Sequence, residues 1–306
     1  MSAAIRTDTV QIGEMSFGIL ESGPADGPLV LCLHGFPDTP WTWRYLLADL
    51  AGAGLRGVAP YLRGYGPSSP SPDGRYPLAV LADDVVRLHE RLGGGPDAAL
   101  VGHDWGAAVA YGAGALAPER FSRLVGLAVP PPVAFVQGLS DFDQLRRSFY
   151  LFLFQTPLAE AVLEADEMAF VERLWHDWSP GYDPAEDLVH VRAALSAPGS
   201  LSAALGYYRA MFDPAAVSPD LAGAASAVLG PVPQPTLYLH GRRDGCVGAD
   251  VVERPDVAAT IQALLPAGSR VAIIEDAGHF LHLEQPGAVG PRILGWLGGS
   301  DVTRAT

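Results

Sequence analysis

The feature that most constrains this chain is an aspartate flanked by two glycines, in the segment Gly102-His103-Asp104-Trp105-Gly106. An apolar run that predicts a strand precedes it, and an Ala-rich run that predicts a helix follows it. Glycines two positions either side remove the side chains that would collide at such a sharp turn. The spacing G-x-nucleophile-x-G is a nucleophile elbow, which points one side chain out of the sheet edge near the first N–H groups of a helix. The alternative interpretation is that Asp104 only caps that helix.

The residue at the centre of this elbow is unusual. Most elbows of this pattern carry serine, whose hydroxyl attacks acyl groups, whereas Asp104 offers a carboxylate. A carboxylate is suited to displacing a leaving group from a saturated carbon. If Asp104 is the nucleophile, the sequence therefore predicts alkyl transfer to its carboxylate.

Strand and helix patterns alternate along most of the chain, which predicts an α/β fold with a mostly parallel sheet covered by helices on both faces. Two short strands, 9–12 and 16–20, are expected to open the fold as an antiparallel hairpin. Further strands are predicted at 29–33, 57–60, 98–101, 124–129, 236–239 and 271–274. Helices are predicted at 43–53, 78–92, 105–116, 251–265 and 287–297.

The alternation stops at Pro130-Pro131-Pro132 and resumes near residue 236. In between, the patterns are helical and aromatic-rich, with helices expected at 142–154, 159–174, 185–195 and 201–211. A helical insertion in the middle of an α/β domain is a candidate lid. We therefore expect a core domain of residues 1–132 and 222–306, and an all-helical cap domain of residues 133–221.

Charge and composition exclude several classes of function. A formal net charge of -14 without any basic run argues against a nucleic-acid partner or an anionic membrane surface. The polar N-terminus and the lack of a long apolar stretch predict a cytoplasmic protein without membrane insertion. Cys32 and Cys246, the two cysteines, have no spacing typical of metal ligands or disulfides, so no metal or cofactor is expected. The oligomeric state, monomer or homodimer, stays open.

A nucleophile at this elbow needs an acid and a histidine after later strands, in that chain order. Asp244 follows the predicted strand 236–239, and His279 follows the next one. A carboxylate that holds one nitrogen of His279 would fix its tautomer and let the other nitrogen act as a base. We therefore predict Asp104 as nucleophile, His279 as general base and Asp244 as its orienting acid.

Other acidic and imidazole side chains are weaker candidates for these roles. Asp250 is interpreted as the N-cap of a helix starting at Val251, and Asp141 and Asp143 start a helix in the insertion. The remaining histidines near these motifs are expected to be structural or exposed, and they are His103, His240 and His282.

An oxyanion hole in this architecture uses the backbone N–H after the nucleophile and one N–H after an early strand. Trp105 provides the first of these. Phe36 provides the second, because Pro37 beside it has no N–H to donate.

Four segments carry a family resemblance, and they are His34-Gly35-Phe36-Pro37, Arg63-Gly64-Tyr65-Gly66, the elbow, and Gly278-His279-Phe280. Together they resemble the α/β-hydrolase-fold epoxide hydrolases, and the resemblance spans nearly the whole chain. The resemblance implies a mostly parallel eight-stranded sheet flanked by helices, with an inserted helical cap. Tyr61 departs from the family, where an acidic residue often precedes the Arg-Gly-Tyr turn, so the contacts of this loop are left open.

The resemblance also implies two cap tyrosines that hydrogen-bond the epoxide oxygen. Segment 149–155 is similar to the first tyrosine motif and selects Tyr150, while segment 206–209 is similar to the second and selects Tyr208. Tyr207 is the alternative to Tyr208. Together with Phe36 and Trp105, these tyrosines are the expected substrate-binding residues.

The sequence thus predicts a cofactor-independent epoxide hydrolase that converts a small, apolar epoxide to a vicinal diol. Asp104 would form an alkyl-enzyme ester, which water activated by His279 and Asp244 would cleave. One alternative is a haloalkane-type dehalogenase with the same nucleophile, although one common halide site requires an asparagine and this chain has none. Fluoroacetate dehalogenases usually have arginine where this chain has Trp105. A remote alternative is a non-catalytic binding protein on this fold.

Overall fold

The structure is a computed structural model that describes residues 4–299. Its centre is one eight-stranded sheet with the strand order β1-β2-β4-β3-β5-β6-β7-β8. β1 pairs antiparallel with β2 and β2 with β4, and every later pair is parallel. The strands are β1 (Arg6–Ile12), β2 (Met15–Ser22), β3 (Leu29–Leu33), β4 (Arg56–Pro60), β5 (Ala99–His103), β6 (Arg123–Leu127), β7 (Thr236–Gly241) and β8 (Arg270–Ile274).

The apolar character of the central strands places them in the middle of the sheet. All five residues of β3 and all five of β5 are buried. Alternate side chains of a strand point to opposite faces. Leu31 and Leu33 accordingly belong to one apolar cluster, and Val30 and Cys32 to the cluster on the other face. The predicted α/β fold with helices on both faces is confirmed.

The helices fall into two groups along the chain. Those that accompany the sheet are α1 (Arg44–Gly52), α2 (Leu78–Arg91), α3 (Trp105–Leu116), α12 (Ala249–Val252), α13 (Pro255–Leu264), α14 (Leu281–Glu284) and α15 (Pro286–Leu297). Those between β6 and β7 are α4 (Pro132–Gly138), α5 (Phe142–Arg147), α6 (Phe149–Leu153), α7 (Ala159–Glu164), α8 (Ala169–Trp178), α9 (Ala185–Leu195), α10 (Ser200–Phe212) and α11 (Ala222–Ala227).

We call the segment from α4 to α11 the helical insertion, residues 132–227. Within this part of the described chain the structure has α-helices and 3-10 helices and no strands, as the sequence predicts. The insertion rests on the core, since α4 packs against α13 while α10 and α11 pack against α2. The carbonyl of Trp178, at the end of α8, accepts hydrogen bonds from the N–H groups of Gly245 and His279 in the loops after β7 and β8, so the insertion lies over the carboxyl ends of these strands.

Three predicted helices are interrupted. The helix expected over 142–154 breaks at Ser148, whose side chain accepts a hydrogen bond from the amide of Gln144. The helix expected over 159–174 breaks at 166–168, where three consecutive non-glycine residues have positive φ. The helix expected over 251–265 breaks before Pro255, because proline cannot continue the preceding turn. α4, α11 and α14 were not predicted.

Helix length and hydropathy decide whether a helix could span a membrane. Within residues 4–299, none of the helices combines the length and the apolar character needed to cross a bilayer.

Candidate active site

The elbow aspartate lies at a strained strand-to-helix turn between β5 and α3. Asp104 has φ 54° and ψ -122°, a backbone conformation that costs a non-glycine residue energy. A Cβ at Gly102 would collide with the carbonyl of Gly106, and one at Gly106 with the carbonyl of Leu33. The Asp104 side chain makes no capping hydrogen bond to α3. The turn therefore presents the carboxylate to the site rather than to its own helix.

One oxygen of this carboxylate is held by the loop after β3. The N–H of Phe36 donates a 2.8 Å hydrogen bond to Oδ1 of Asp104. A Cβ at the preceding Gly35 would collide with the Asp104 side chain, so only glycine permits this close approach. Trp105, the other predicted oxyanion donor, is the first residue of α3 and follows Asp104 directly.

The predicted acid and histidine meet the nucleophile at the carboxyl ends of β5, β7 and β8. Nδ1 of His279 lies 3.0 Å from Oδ2 of Asp244, and its Nε2 lies 3.6 Å from Oδ2 of Asp104. Asp244 is fixed in turn, because its Oδ1 accepts hydrogen bonds from the N–H groups of Cys246 and Val247 at 2.7 and 2.9 Å. The three side chains predicted for catalysis are thus brought together.

Burial and charge act in opposite directions on His279. Its full burial lowers the pKa, but the negative charge of Asp244 and the contact with Asp104 outweigh that effect and raise the pKa to about 10. While both carboxylates are charged, the imidazole is therefore a cation at neutral pH. Nε2 makes no hydrogen bond within the described part of the chain.

The weaker acidic candidates lie elsewhere. Asp250 is inside the first turn of α12, whose N-cap is Gly248, so its interpretation as an N-cap was wrong; it pairs with Arg147 at 2.9 Å. Asp141 caps α5 by accepting from the N–H of Gln144. Asp143 pairs with Arg146 on the surface.

Three further histidines, which were expected to be structural or exposed, are all buried. His240 is held by the hydroxyl of Tyr238 and the carbonyl of Val247. Nε2 of His103 contacts the carbonyl oxygen of His279 at 3.0 Å, and His282 contacts the hydroxyl of Thr42. These contacts are structural ones.

Two tyrosines of the insertion reach the cavity next to Asp104. Tyr150 and Tyr208 are each 2% exposed, and burial raises the pKa of both hydroxyls well above the usual range, as does the nearby charge of Asp104. Tyr150 Oη lies 3.2 Å from Sγ of Cys246. Tyr208 Oη makes no well-aligned hydrogen bond to any of residues 4–299, although the nearby Trp105 side chain lowers its pKa in part.

Tyr207 uses its hydroxyl differently. It donates a 2.8 Å hydrogen bond to the carbonyl of Arg63, and its ring stacks on Tyr76. Arg63 itself forms a bidentate ion pair with the buried Asp84. This pair holds the loop after Tyr61, whose contacts the sequence had left open. Of the two adjacent tyrosines, Tyr208 is the one whose hydroxyl has no well-aligned partner among residues 4–299.

A cavity of about 270 Å³ lies between the core and the insertion. The lining residues whose side chains carry polar atoms are Asp104, Trp105, Tyr150, Tyr207, Tyr208 and Cys246. Most of the remaining surface is aliphatic or aromatic, from α2, α4, α10 and the segment around 217–229. Such a site favours an apolar ligand with one polar group near the carboxylate.

Comparisons with known proteins agree with this geometry. A family model described as alpha/beta hydrolase fold matches residues 28–286. Epoxide hydrolase A of Mycobacterium tuberculosis is 30% identical over 318 residues, covering 93% of this chain and 94% of that protein. The chain belongs to the epoxide hydrolase family of the α/β-hydrolase fold.

Other members of this family are similar over most of their length. Epoxide hydrolase 3 of Xenopus tropicalis is 32% identical over 290 residues, covering 92% of this chain and 74% of that protein. The solved epoxide hydrolase of Bacillus megaterium with an inhibitor has a TM-score of 0.79 at 25% identity, covering 95% of this chain and 100% of that one. Epoxide hydrolase A of Mycobacterium thermoresistibile has a TM-score of 0.77 at 28% identity, covering 97% and 99%. This hydrolase thus shares its fold with the two solved family members over most of its length.

Three residues that the sequence analysis did not predict also lie at the site of this epoxide hydrolase. Cys246 lines the cavity, and Trp178 packs between Tyr150 and His279 with ring centroids 5.0 and 5.1 Å away. Asp38 lies behind the elbow, 3.8 Å from His103. Asp38 follows the Phe36-Pro37 motif directly and could have been selected on that ground, whereas the other two carry no local signal.

Two groups of side chains have ligand types that suit a metal ion. Asp38, His103 and His282 form one group, with ligand atoms within 4.8 Å of one another and no hydrogen-bond partner for Asp38 Oδ2 and the two Nδ1 atoms among the described residues. A bound water would satisfy the same atoms. The other group contains Asp104, Cys246 and His279, which are the reacting side chains themselves.

Proposed function

We propose that this enzyme hydrolyses epoxides to vicinal diols through an ester on Asp104. The observation that carries the proposal is the pair of cap tyrosines. Tyr208, whose buried hydroxyl has no well-aligned partner in the described part of the chain, lines the same cavity as Asp104 and Tyr150. An epoxide oxygen leaves as an alkoxide, which is a poor leaving group unless a proton donor meets it, and a phenol provides one at neutral pH.

In the first half of the reaction, Oδ2 of Asp104 attacks an epoxide carbon while the carbon–oxygen bond of the ring breaks. Oδ2 is suited to this because the Phe36 N–H already binds Oδ1. The leaving oxygen takes the proton of Tyr150 or Tyr208, whose raised pKa keeps the hydroxyl protonated beforehand. The product is an alkyl ester of Asp104 that carries one new hydroxyl.

Cys246 assists Tyr150 in this step. Burial raises the pKa of the Cys246 thiol well above its usual range, so it keeps its S–H. The Sγ–Oη distance of 3.2 Å fits a hydrogen bond that either atom could donate, and in the proposed step the thiol is the donor and Tyr150 the acceptor. The proton of Tyr150 is then free to point at the epoxide oxygen.

Formation of the ester changes His279 from a cation to a base. The carboxylate charge of Asp104 is one of the causes that raise its pKa, and an ester has no such charge. The lower pKa releases a proton, which restores the tyrosine. Asp244 still holds Nδ1, so the freed Nε2 faces the ester.

In the second half, His279 takes a proton from water and the hydroxide attacks Cγ of Asp104. The negative charge of the tetrahedral intermediate develops on Oδ1, where the Phe36 N–H already donates, and the Trp105 N–H is the second proposed donor. Collapse breaks the Cγ–Oδ2 bond. The released diol oxygen takes the acidic proton of Asp104, and His279 returns to its protonated state.

The division into a core of residues 1–132 and 222–306 and a cap of 133–221 belongs to this proposal. The tyrosines of the cap and the carboxylate of the core then complete the site only when both are packed together. The apolar lining of the cavity supports an apolar substrate. A cytoplasmic location also stays a prediction.

The test is a product assay with aryl and alkyl epoxides beside haloalkanes, scored for diol and for halide. We expect diol from epoxides, and we expect His279→Gln to accumulate an adduct on Asp104 with the mass of one substrate. Asp104→Asn is the matched control and should carry no adduct. Halide release without diol formation would favour a dehalogenase, and neither product nor adduct from any substrate would exclude the mechanism.

A further inference from the structure

Three buried aromatic side chains, Phe36, Phe154 and Trp178, pack against the two cap tyrosines, and we call them the aromatic wall. The Tyr208 ring centroid lies 5.3 Å from that of Phe36 and 5.0 Å from that of Phe154. The Tyr150 ring centroid lies 5.6 Å from that of Phe154 and 5.0 Å from that of Trp178. Each wall residue is at most 2% exposed.

The aromatic wall packs against the tyrosines without lining the cavity itself. Asp104, Tyr150 and Tyr208 line the cavity, whereas none of the three wall residues does so. His279, whose ring packs edge-on against Trp178 at 5.1 Å, is not part of the lining either. Asp104, Tyr150 and Tyr208 are at most 5% exposed, so the reacting groups stand at the buried end of the cavity.

The other end of the cavity is apolar and reaches the surface. Val136, Val217 and Leu229 line it and are 51%, 36% and 49% exposed. A cavity of about 150 Å³ can hold a benzene molecule. The 270 Å³ found here thus has room for an aryl ring or a short alkyl chain attached to the epoxide.

From this one-sided shape we infer that the substrates are terminal epoxides, with the apolar substituent on a single ring carbon. The inference rests on the proposed function. With the epoxide oxygen at the tyrosines and a ring carbon at Asp104, one substituent extends toward Val136. A trans-disubstituted epoxide carries a second group in the opposite direction, where tightly packed side chains leave no room and cannot yield without cost.

Styrene oxide and trans-β-methylstyrene oxide make the matched comparison, because they differ by one methyl group on the second carbon. One methylene in an apolar site changes kcat/KM roughly 10- to 200-fold. We expect the terminal substrate to be favoured at least ~10-fold in the wild-type enzyme, by the same measure. Hydrolysis of the trans substrate within about threefold of styrene oxide would overturn the inference.

Two variants test the two ends of the cavity. Phe154→Leu shortens a wall side chain that contacts both tyrosines and so makes room for about one methyl group. It should raise kcat/KM for the trans substrate several-fold relative to kcat/KM for styrene oxide, roughly the effect of one methylene group in an apolar site. Phe121→Leu is its matched control, since this phenylalanine is also buried but packs on His89.

Val136→Trp narrows the exposed rim of the cavity. It should slow the hydrolysis of epoxyoctane more than that of epoxybutane.

The outcomes separate this inference from the proposed function. If no epoxide gives a diol or an Asp104 adduct, the proposed function fails. If trans-disubstituted epoxides give diol as readily as terminal ones, only the inference fails. Should Phe154→Leu not fold, the wild-type comparison and Val136→Trp still decide, because equal slowing of both alkyl epoxides by Val136→Trp would contradict the predicted path of the substituent.

Discussion

The N–H of Phe36 donates a 2.8 Å hydrogen bond to Oδ1 of Asp104, whereas Oδ2 of the same carboxylate lies 3.6 Å from Nε2 of His279. The two oxygens therefore have different environments before any substrate binds. Oδ1 is already where an oxyanion donor points, and Oδ2 has no backbone donor of this kind in the described contacts. Their separate roles in the proposed reaction follow from this asymmetry.

Isotope labelling can test these roles. In a single turnover with excess enzyme in water labelled with heavy oxygen, we expect the label in the carboxylate of Asp104 and not in the diol. The reason is that hydroxide attacks Cγ of the ester, and the diol keeps Oδ2. Mass spectrometry of the peptide that contains Asp104 measures this. His279→Gln should carry the ester without label, and labelled diol in the first turnover would contradict the ester mechanism.

The tyrosine hydroxyls give a second prediction. Tyr150→Phe and Tyr208→Phe should each slow formation of the ester, and the double variant should lose roughly 10²- to 10⁴-fold, the usual contribution of general acid catalysis. Stopped-flow measurement of the first turnover isolates that step. Tyr207→Phe is the matched control, because its hydroxyl binds the carbonyl of Arg63.

Tyr207→Phe should cost stability and leave the ester-forming rate nearly unchanged. A loss in that control equal to the loss in Tyr208→Phe would mean that packing, rather than proton donation, explains both. Full activity in the double Tyr150 and Tyr208 variant would favour displacement of a leaving group that needs no proton, such as halide.

Much of this site could be predicted from the sequence because its parts are local. The elbow needs glycine at two fixed positions, and the collisions that a Cβ would cause at Gly102 and Gly106 show why. Asp244 and His279 each follow a strand, and parallel strands bring their carboxyl ends to one edge. The same local rule places α3 at Trp105–Leu116, as predicted.

The remainder depends on contacts between distant segments. The predicted helix is interrupted at residues 166–168, where the backbone has positive φ although none of these residues is glycine, so their residue types do not indicate the break. Cys246 meets Tyr150 only because the loop after β7 packs under the insertion, and the two residues are 96 positions apart. Trp178 likewise reaches His279 through tertiary packing. Propensity and spacing contain no information on such pairs.

The thiol of Cys246 provides a third prediction. Cys246→Ala removes the group 3.2 Å from the Tyr150 hydroxyl, so the phenol proton is less well oriented and the ester-forming rate should fall several-fold, about the effect of one weakened hydrogen bond. Cys246→Ser keeps a donor and should restore most of the rate. Cys32→Ala is the control, since Cys32 lies inside β3.

Stopped-flow rates of the three cysteine variants, with KM measured in parallel, separate orientation from binding. We expect kcat to change and KM to change little. Equal losses in Cys246→Ala and Cys246→Ser would contradict a hydrogen-bonding role for the thiol.

The raised pKa of His279 predicts how stability depends on pH. Burial lowers this pKa, but Asp244 and Asp104 raise it from an ordinary value near 6.5 to about 10. The folded protein therefore binds the proton more tightly than the unfolded chain. The contribution of this proton to the free energy of unfolding is complete below pH 6.5 and disappears as the pH rises through 10.

We expect Tm to fall with pH across this window more steeply in the wild type than in His279→Gln. Asp104→Asn should show an intermediate slope, because one of the two carboxylates that raise the pKa is gone. Thermal denaturation of the three proteins at several pH values measures these slopes, and parallel curves for wild type and His279→Gln would show that His279 does not hold a proton in the folded enzyme.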